Sequence, residues 1–459
     1  MKKALLVISA VLYFALAYFV ERQEISVLLG CWGILFGCYF ILIRQKEQVE
    51  KIIIWGILLR LIWLFAIPAL SDDFYRFAWD GRLVVNGQNP FLYIPTDLMQ
   101  IPEMAVQINA EELFQHLNSP NYYSVYPPLN QYLFWLASFT SSNNLWVNVI
   151  LLRVIILVAE CGTLWILYKL SKEKNTNINI AFYAFNPLVI VELTGNLHFE
   201  AVVIFFLVVT YYLFTLKTSL WKPALALASA ICVKMLPLIF LPLIIKKIGW
   251  KKGIIFSLLT GAFCVLYSFP LLNFEIIQNI SKSVNLYFKS FEFNASVYYV
   301  VREVGYWIYG YNIIGIAGRG LSMVAFTLIM YVSFRDKPIN KLLWVAGTVL
   351  TIYLLFATTV HPWYITPLVL ISCFINLRYA LIWSVLIPLT YFSYTTIPYK
   401  ENLWLVGLEY TVVFGFFIWE LSTNKSSFQE DLGGNDTNIT IPSLIYNKAK
   451  LFLLEVFRK

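Results

Sequence analysis

Ionisable residues are scarce in this 459-residue chain: Asp, Glu, Lys and Arg make up 13% of it, against 59% hydrophobic residues. With a mean hydropathy of +0.70, that scarcity excludes an ordinary soluble protein. Histidine is rarer still, with three scattered copies that do not make a metal site. The six cysteines (Cys31, Cys38, Cys161, Cys232, Cys264, Cys373) lie in apolar runs without metal-type spacing, so structural packing is expected and disulfides are not. Two further features are missing. No clear small-x-small cleavage site follows the first apolar stretch, Ala4 to Val20, which is therefore expected to be a retained helix. No internal repeat is evident either, which weighs against a transporter.

What the chain does have is apolar runs of about 18 residues or more, each able to cross a hydrocarbon core as a helix. These runs are too long and too continuous for barrel strands. The expected fold is all-α, a polytopic helical membrane protein with about 11–14 membrane segments including short half-helices. The net charge of +8 resides largely in short connections (Arg44/Lys46/Lys51, Lys169/Lys172/Lys174, Lys246/Lys247/Lys251/Lys252, Arg335/Lys337/Lys341). That is the bias that keeps basic loops in the cytoplasm, and it implies a lipid bilayer as partner and no nucleic acid.

Threading on this bias makes spans 4–20 and 25–43 an N-terminal hairpin, assigned to residues 1–50. Span 52–70 then exits and places residues 71–144 in a large outer loop, where the run Leu129–Phe139 is too short to cross. Span 145–169 returns, 179–194 leaves and 198–216 comes back, with Gly195-Asn196-Leu197-His198 at the outer turn. The run Pro223–Ile245 has basic flanks on both sides, so two half-spans meeting at Lys234-Met235-Leu236-Pro237 are expected, the proline favouring the break. Spans 253–271, 313–333, 342–360, 362–376, 379–397 and 403–421 complete a membrane domain of residues 51–421. A cytoplasmic tail, 422–459, is flexible up to an amphipathic piece near 443–458.

The densest cluster of charge stands at the exit of the third span: Asp72, Asp73, Arg76, Asp80 and Arg82 within one short stretch. On a helix, Asp73, Arg76 or Phe77, and Asp80 share a face. A carboxylate there could take a proton from an acceptor hydroxyl, whereas the bland account has Asp72 capping the helix and Asp80 paired with Arg76 or Arg82. Ionisable groups at membrane depth favour the functional account. Lys234, Arg302, His198 and His361 map to the same outer side and could neutralise a phosphate leaving group. Glu200 follows His198 closely. Tyr126, Trp363 and Tyr364 could stack on a sugar, although aromatic residues at an interface more often act as anchors. No cofactor is called for, although Asp72 and Asp73 could hold a divalent cation through oxygen.

Six short motifs then occur in order: Asp73-Phe-Tyr-Arg-Phe-Ala-Trp-Asp80-Gly-Arg82 with Asn86-Gly87 and Asn89-Pro90; Tyr126-Pro127-Pro128-Leu129; Asn186-Pro187-Leu188 with Gly195 to Ala201; Val233 to Pro237; Phe293 to Ser296; and Val360 to Tyr364. Over roughly residues 50–400, leaving out the first hairpin and the tail, the set resembles bacterial polyprenol-phosphate-mannose-dependent mannosyltransferases, membrane glycosyltransferases of the GT-C fold. Leu197 stands where many of these carry glycine. The resemblance implies a polyprenyl-phosphate sugar donor, a glycan or glycolipid acceptor and transfer with inversion. It makes Asp73 the catalytic base, with Asp72 second, and puts Arg76, Asp80, Arg82, Tyr126, His198, Glu200, Lys234, Arg302, His361, Trp363 and Tyr364 against substrate. The expected location is the bacterial cytoplasmic membrane, with the site on the non-cytoplasmic face. The rival from another class is a transporter or flippase of lipid-linked sugars.

Overall fold

The computed structural model describes residues 1–173, 178–335, 342–396 and 399–430. Lys174, Lys337, Lys341 and the tail beyond 430, with the piece expected near 443–458, lie outside the described residues. Residues 1–414 form one compact unit, and 415 onward belong to a second. Among the described residues there is no strand, only an isolated parallel bridge between Phe293 and Thr359.

The chain opens with α1 (Lys2–Tyr18) and α2 (Ile25–Leu42), the expected hairpin. Next come α3 (Val49–Leu61) and α4 (Asp73–Val85). Short helices follow: α5 (Pro95–Leu98), α6 (Pro102–Gln107) and α7 (Ala110–Phe114). After them stand α8 (Pro128–Ser141), α9 (Leu145–Ser171) and α10 (Ala181–Ala184). A π-helical turn (Val189–Gly195) leads into α11 (Glu200–Thr215) across a 111° bend. Then α12 (Trp221–Val233), α13 (Leu241–Ile248), α14 (Trp250–Ser268), α15 (Phe274–Ser290) and α16 (Val297–Tyr309) lead to α17 (Ile314–Phe334). The last are α18 (Leu342–Phe356), α19 (Thr366–Ile375), α20 (Arg378–Leu386) and α21 (Leu403–Glu430).

Among the described residues, five helices are long and apolar enough to cross a bilayer: Ile25–Leu42, Leu145–Ser171, Trp250–Leu271, Ile314–Phe334 and Leu403–Glu420, with the bent pair at 189–215 as a sixth. Their outward faces carry bare hydrocarbon such as Val158, Trp165, Leu258, Leu266 and Phe326, which only lipid would cover at low cost. The protein is an all-α multi-pass membrane protein. The remaining expected segments are shorter or broken, each for a visible reason. Span 52–70 is helical only to Leu61, because the carbonyls of Leu64 and Ala66 turn to the buried guanidinium of Arg153 at 3.2 and 2.6 Å. The same guanidinium also donates to the carbonyls of Thr194 and Gly195, tying the end of this segment to the π turn. Residues 179–194 are not one helix, since Pro187 interrupts the ladder between α10 and the π turn. The expected break in 223–245 is present: α12 ends at Val233, Lys234 is extended, and a 3-10 turn, Leu236–Phe240, precedes α13.

Salt bridges gather one end of the bundle. Lys2 reaches Glu47 at 3.2 Å, and Lys172 at the end of α9 reaches Glu50 at 3.2 Å. The turn between α1 and α2 therefore marks the opposite end, where α4 begins. That helix is buried along most of its length and packs on α8 so closely that a Cβ on Gly81 would run into the Phe134 carbonyl.

Candidate active site

Arg76, Asp80 and Arg82 serve the loop between α4 and α8. Arg76 Nε donates to Asp80 at 2.9 Å, and its Nη1 donates to the carbonyls of Ser119 and Tyr122. Asp80, fully buried, also accepts from Ser124 and Gln131. Arg82 binds Glu112 at 2.8 Å and the carbonyls of Ile108, Asn109 and Asn143. These three side chains pin the loop between α4 and α8 to α4. Tyr126 packs edge-on against Phe77 and Phe134 in the same region.

The two aspartates at the start of α4 differ sharply. Asp72 makes no capping bond; its Oδ2 lies 2.7 Å from Nη2 of Arg22, in the turn between α1 and α2. Asp73 Oδ1 accepts from Asn118 at 2.7 Å, while Oδ2 stands 3.9 Å from His198 Nε2. Burial pushes the Asp73 carboxyl above the usual carboxylate range; His198, Asn118 and Lys234 pull it back, and the charge of Glu200 adds to the rise. Among the described residues no group of three His, Cys, Asp or Glu side chains is placed to hold a metal, and Asp72 and Asp73 turn to separate partners.

His198 is fixed from two sides. Its Nδ1 lies 2.9 Å from the Glu192 carbonyl, which can only accept, so Nδ1 carries a proton. Its Nε2 faces the Ser71 hydroxyl at 3.4 Å, and Ser71 Oγ in turn accepts the Asp73 amide. The turn that delivers His198 requires Leu197 at φ +63°, in the left-handed region where glycine is at ease.

Behind His198 runs a pile of four rings. His198 stacks on Trp363 at 3.6 Å, Trp363 on His361 at 4.4 Å, and His361 on Phe293 at 4.9 Å. Trp363 is thereby held between the two histidine rings. Burial, with Lys234 and His198 nearby, lowers the His361 pKa to about 3, so the ring is neutral. Phe293 is held by the bridge to 358–360, and the amide of Asn294 donates to Glu401 at 2.5 Å.

Lys234 projects from the break after α12, with its ammonium on Glu200 and 4.1 Å above the ring of Tyr364. Asn130 donates to the Val233 carbonyl at 2.8 Å and so ties the break to α8. Arg302 is engaged elsewhere, with Glu292 at 2.7 Å, Glu303 at 3.3 Å and the ring of Tyr299 at 4.3 Å. The structure thus brings Asp73, His198, Glu200, Lys234, His361, Trp363 and Tyr364 together. Three contributors escape sequence reasoning: Arg22, Asn118 and Ser71. Arg22 lies in the short connection between α1 and α2 and Asn118 in a long loop, and neither carries a local signal; Ser71 merely precedes the aspartates.

The cluster of carboxylates, histidines and a lysine stands in an all-α multi-pass membrane protein, and the family completes the identification. Residues 5–248 match the family described as alpha-(1->6)-mannopyranosyltransferase, N-terminal domain (MptA_B family), so the chain belongs to that family and is a membrane mannosyltransferase. It takes a sugar donor and an acceptor. The match begins at residue 5 and so includes the first hairpin, which the motif resemblance left out; the contact of Arg22 with Asp72 gives that inclusion a physical sense. No curated protein and no solved structure matches the chain.

Proposed function

We propose that this protein moves mannose from a polyprenyl-phosphate donor to a hydroxyl of a glycan or glycolipid on the non-cytoplasmic face of a bacterial cytoplasmic membrane, with Asp73 as general base. The observation that carries the choice of base is the contrast between neighbours. Asp72 is committed to Arg22, whereas Asp73 Oδ2 accepts no hydrogen bond among the described residues and keeps a lone pair for the acceptor proton. Its raised pKa brings its basicity closer to working pH.

The acceptor oxygen forms the new bond to the anomeric carbon as the bond from that carbon to the donor phosphate breaks. The electron pair leaves with the polyprenyl phosphate, the acceptor proton passes to Asp73, and attack opposite the leaving group inverts the centre. Lys234 is the ammonium that answers the growing phosphate charge. The side of the membrane is supported by Lys2, Lys51 and Lys172, which gather at the end of the bundle away from Arg22 and Asp72.

The test is incubation of the purified protein and a glycolipid acceptor with labelled mannose on synthetic polyprenyl phosphate or on a nucleotide, with the product anomer read by NMR. Transfer with inversion from the lipid donor alone is expected. Transfer from the nucleotide sugar, retention of configuration, or movement of the lipid across liposomes without transfer contradicts the proposal.

A further inference from the structure

The ion pair between Lys234 and Glu200 poses a problem for the reaction just described, because the lysine assigned to the phosphate is already taken. The two partners are not equally held. The Lys234 side chain is 34% exposed and hangs from an extended residue between helices, whereas Glu200 is 6% exposed. The lysine is the movable member. Glu200 occupies the first turn of α11, where the helix dipole favours an anion. The Tyr364 ring beneath the ammonium attracts a cation without being an anion itself, and so offers a surface along which Lys234 can turn.

We infer that Glu200 stands in for the donor phosphate: it holds Lys234 between turnovers and yields it as the phosphate gains charge. The inference rests on the polyprenyl-phosphate donor proposed above. A sugar phosphodiester carries one negative charge, whereas the departing phosphate monoester approaches two, about −1.5 to −2 at neutral pH. Competition for the ammonium thus tilts from carboxylate to phosphate while the glycosidic bond breaks. An interaction stronger in the transition state than in the ground state is one that raises kcat. The exchange also leaves Glu200 uncompensated within the electrostatic reach of Asp73, whose proton affinity it raises.

The test measures binding of a short-chain polyprenyl phosphate, without sugar, to the purified full-length protein in detergent. Glu200→Gln should bind roughly tenfold more tightly than wild type, Lys234→Met roughly tenfold more weakly, and the double variant like Lys234→Met. Glu200→Asp withdraws the carboxylate by one methylene and keeps the charge at the helix start; intermediate tightening is expected. If Glu200→Gln and Glu200→Asp bind no better than wild type while Lys234→Met binds more weakly, Glu200 only orients the lysine and the inference falls. If Lys234→Met binds as wild type does, the phosphate assignment of Lys234 falls with it.

Discussion

Arg22 Nη2 lies 2.7 Å from Asp72 Oδ2, and this contact links the turn of the N-terminal hairpin to the residue next to the proposed base. Both side chains retain exposure, 24% for Arg22 and 35% for Asp72, so the pair contributes about 1 kcal/mol or less to stability. Arg22→Gln and Asp72→Asn should each leave the thermal midpoint within a few degrees of wild type. The exchange Arg22→Asp with Asp72→Arg should recover most of any activity that the single reversals lose, and kinetics of the four proteins would check this.

Mannosyl transfer should fall at low pH as Asp73 takes up a proton, with a midpoint above the ordinary aspartate value because burial raises it. Glu200→Gln removes a negative neighbour and should move that acid limb to lower pH. Lys234→Met removes a positive neighbour and should move it to higher pH. His198 and Asn118, which also lower the Asp73 value, are unchanged in both variants. The profile of kcat/KM against pH reports the shifts.

The ring pile makes a separate prediction. Phe293→Leu keeps an apolar side chain but removes the ring that backs His361, and Trp363→Leu removes the ring between the two histidines. Trp363→Leu should lower kcat about tenfold or more through misplacement of His198, and Phe293→Leu by less. Trp363→Phe and Phe293→Tyr should restore most of the rate. Steady-state kinetics with donor in excess separates kcat from KM.

Arg153 holds four carbonyls together inside the bundle. Arg153→Met leaves those carbonyls buried and unpaired, and should destabilise the protein by about 3 kcal/mol or more, given about 1–3 kcal/mol for each orphaned group. Loss of the folded protein at a lower detergent-melting temperature is the measurement. Gly81→Val should be comparably damaging, because the added side chain meets the α8 backbone rather than a flexible group.

Membrane class, the hairpin, the break at Lys234 and the cluster at the start of α4 were legible in the sequence, since each rests on local signals: apolar length, proline and the crowding of charge. The broken segments were harder. Hydropathy sees 52–70 as one run, but the guanidinium that unwinds its end comes from Arg153, far along the chain. Of the carboxylates of 72–80, only the pairing of Asp80 with Arg76 was legible from local spacing. Their partners Arg22, Asn118 and Ser124 divide them into a hairpin latch, a candidate base and a loop anchor, and only tertiary packing supplies those partners. The stacking partner of Trp363, His198, comes from a distant segment and so could not be read beside it in the sequence.

The most direct test of the account compares Asp73→Asn with Asp72→Asn in mannosyl transfer from polyprenyl-phosphate-mannose, each variant first shown to melt as wild type does. The account predicts that Asp73→Asn loses at least about a hundredfold in kcat, the scale of a missing general base, while Asp72→Asn stays within a few-fold of wild type. Undiminished transfer by Asp73→Asn, or the loss falling on Asp72→Asn instead, would contradict it.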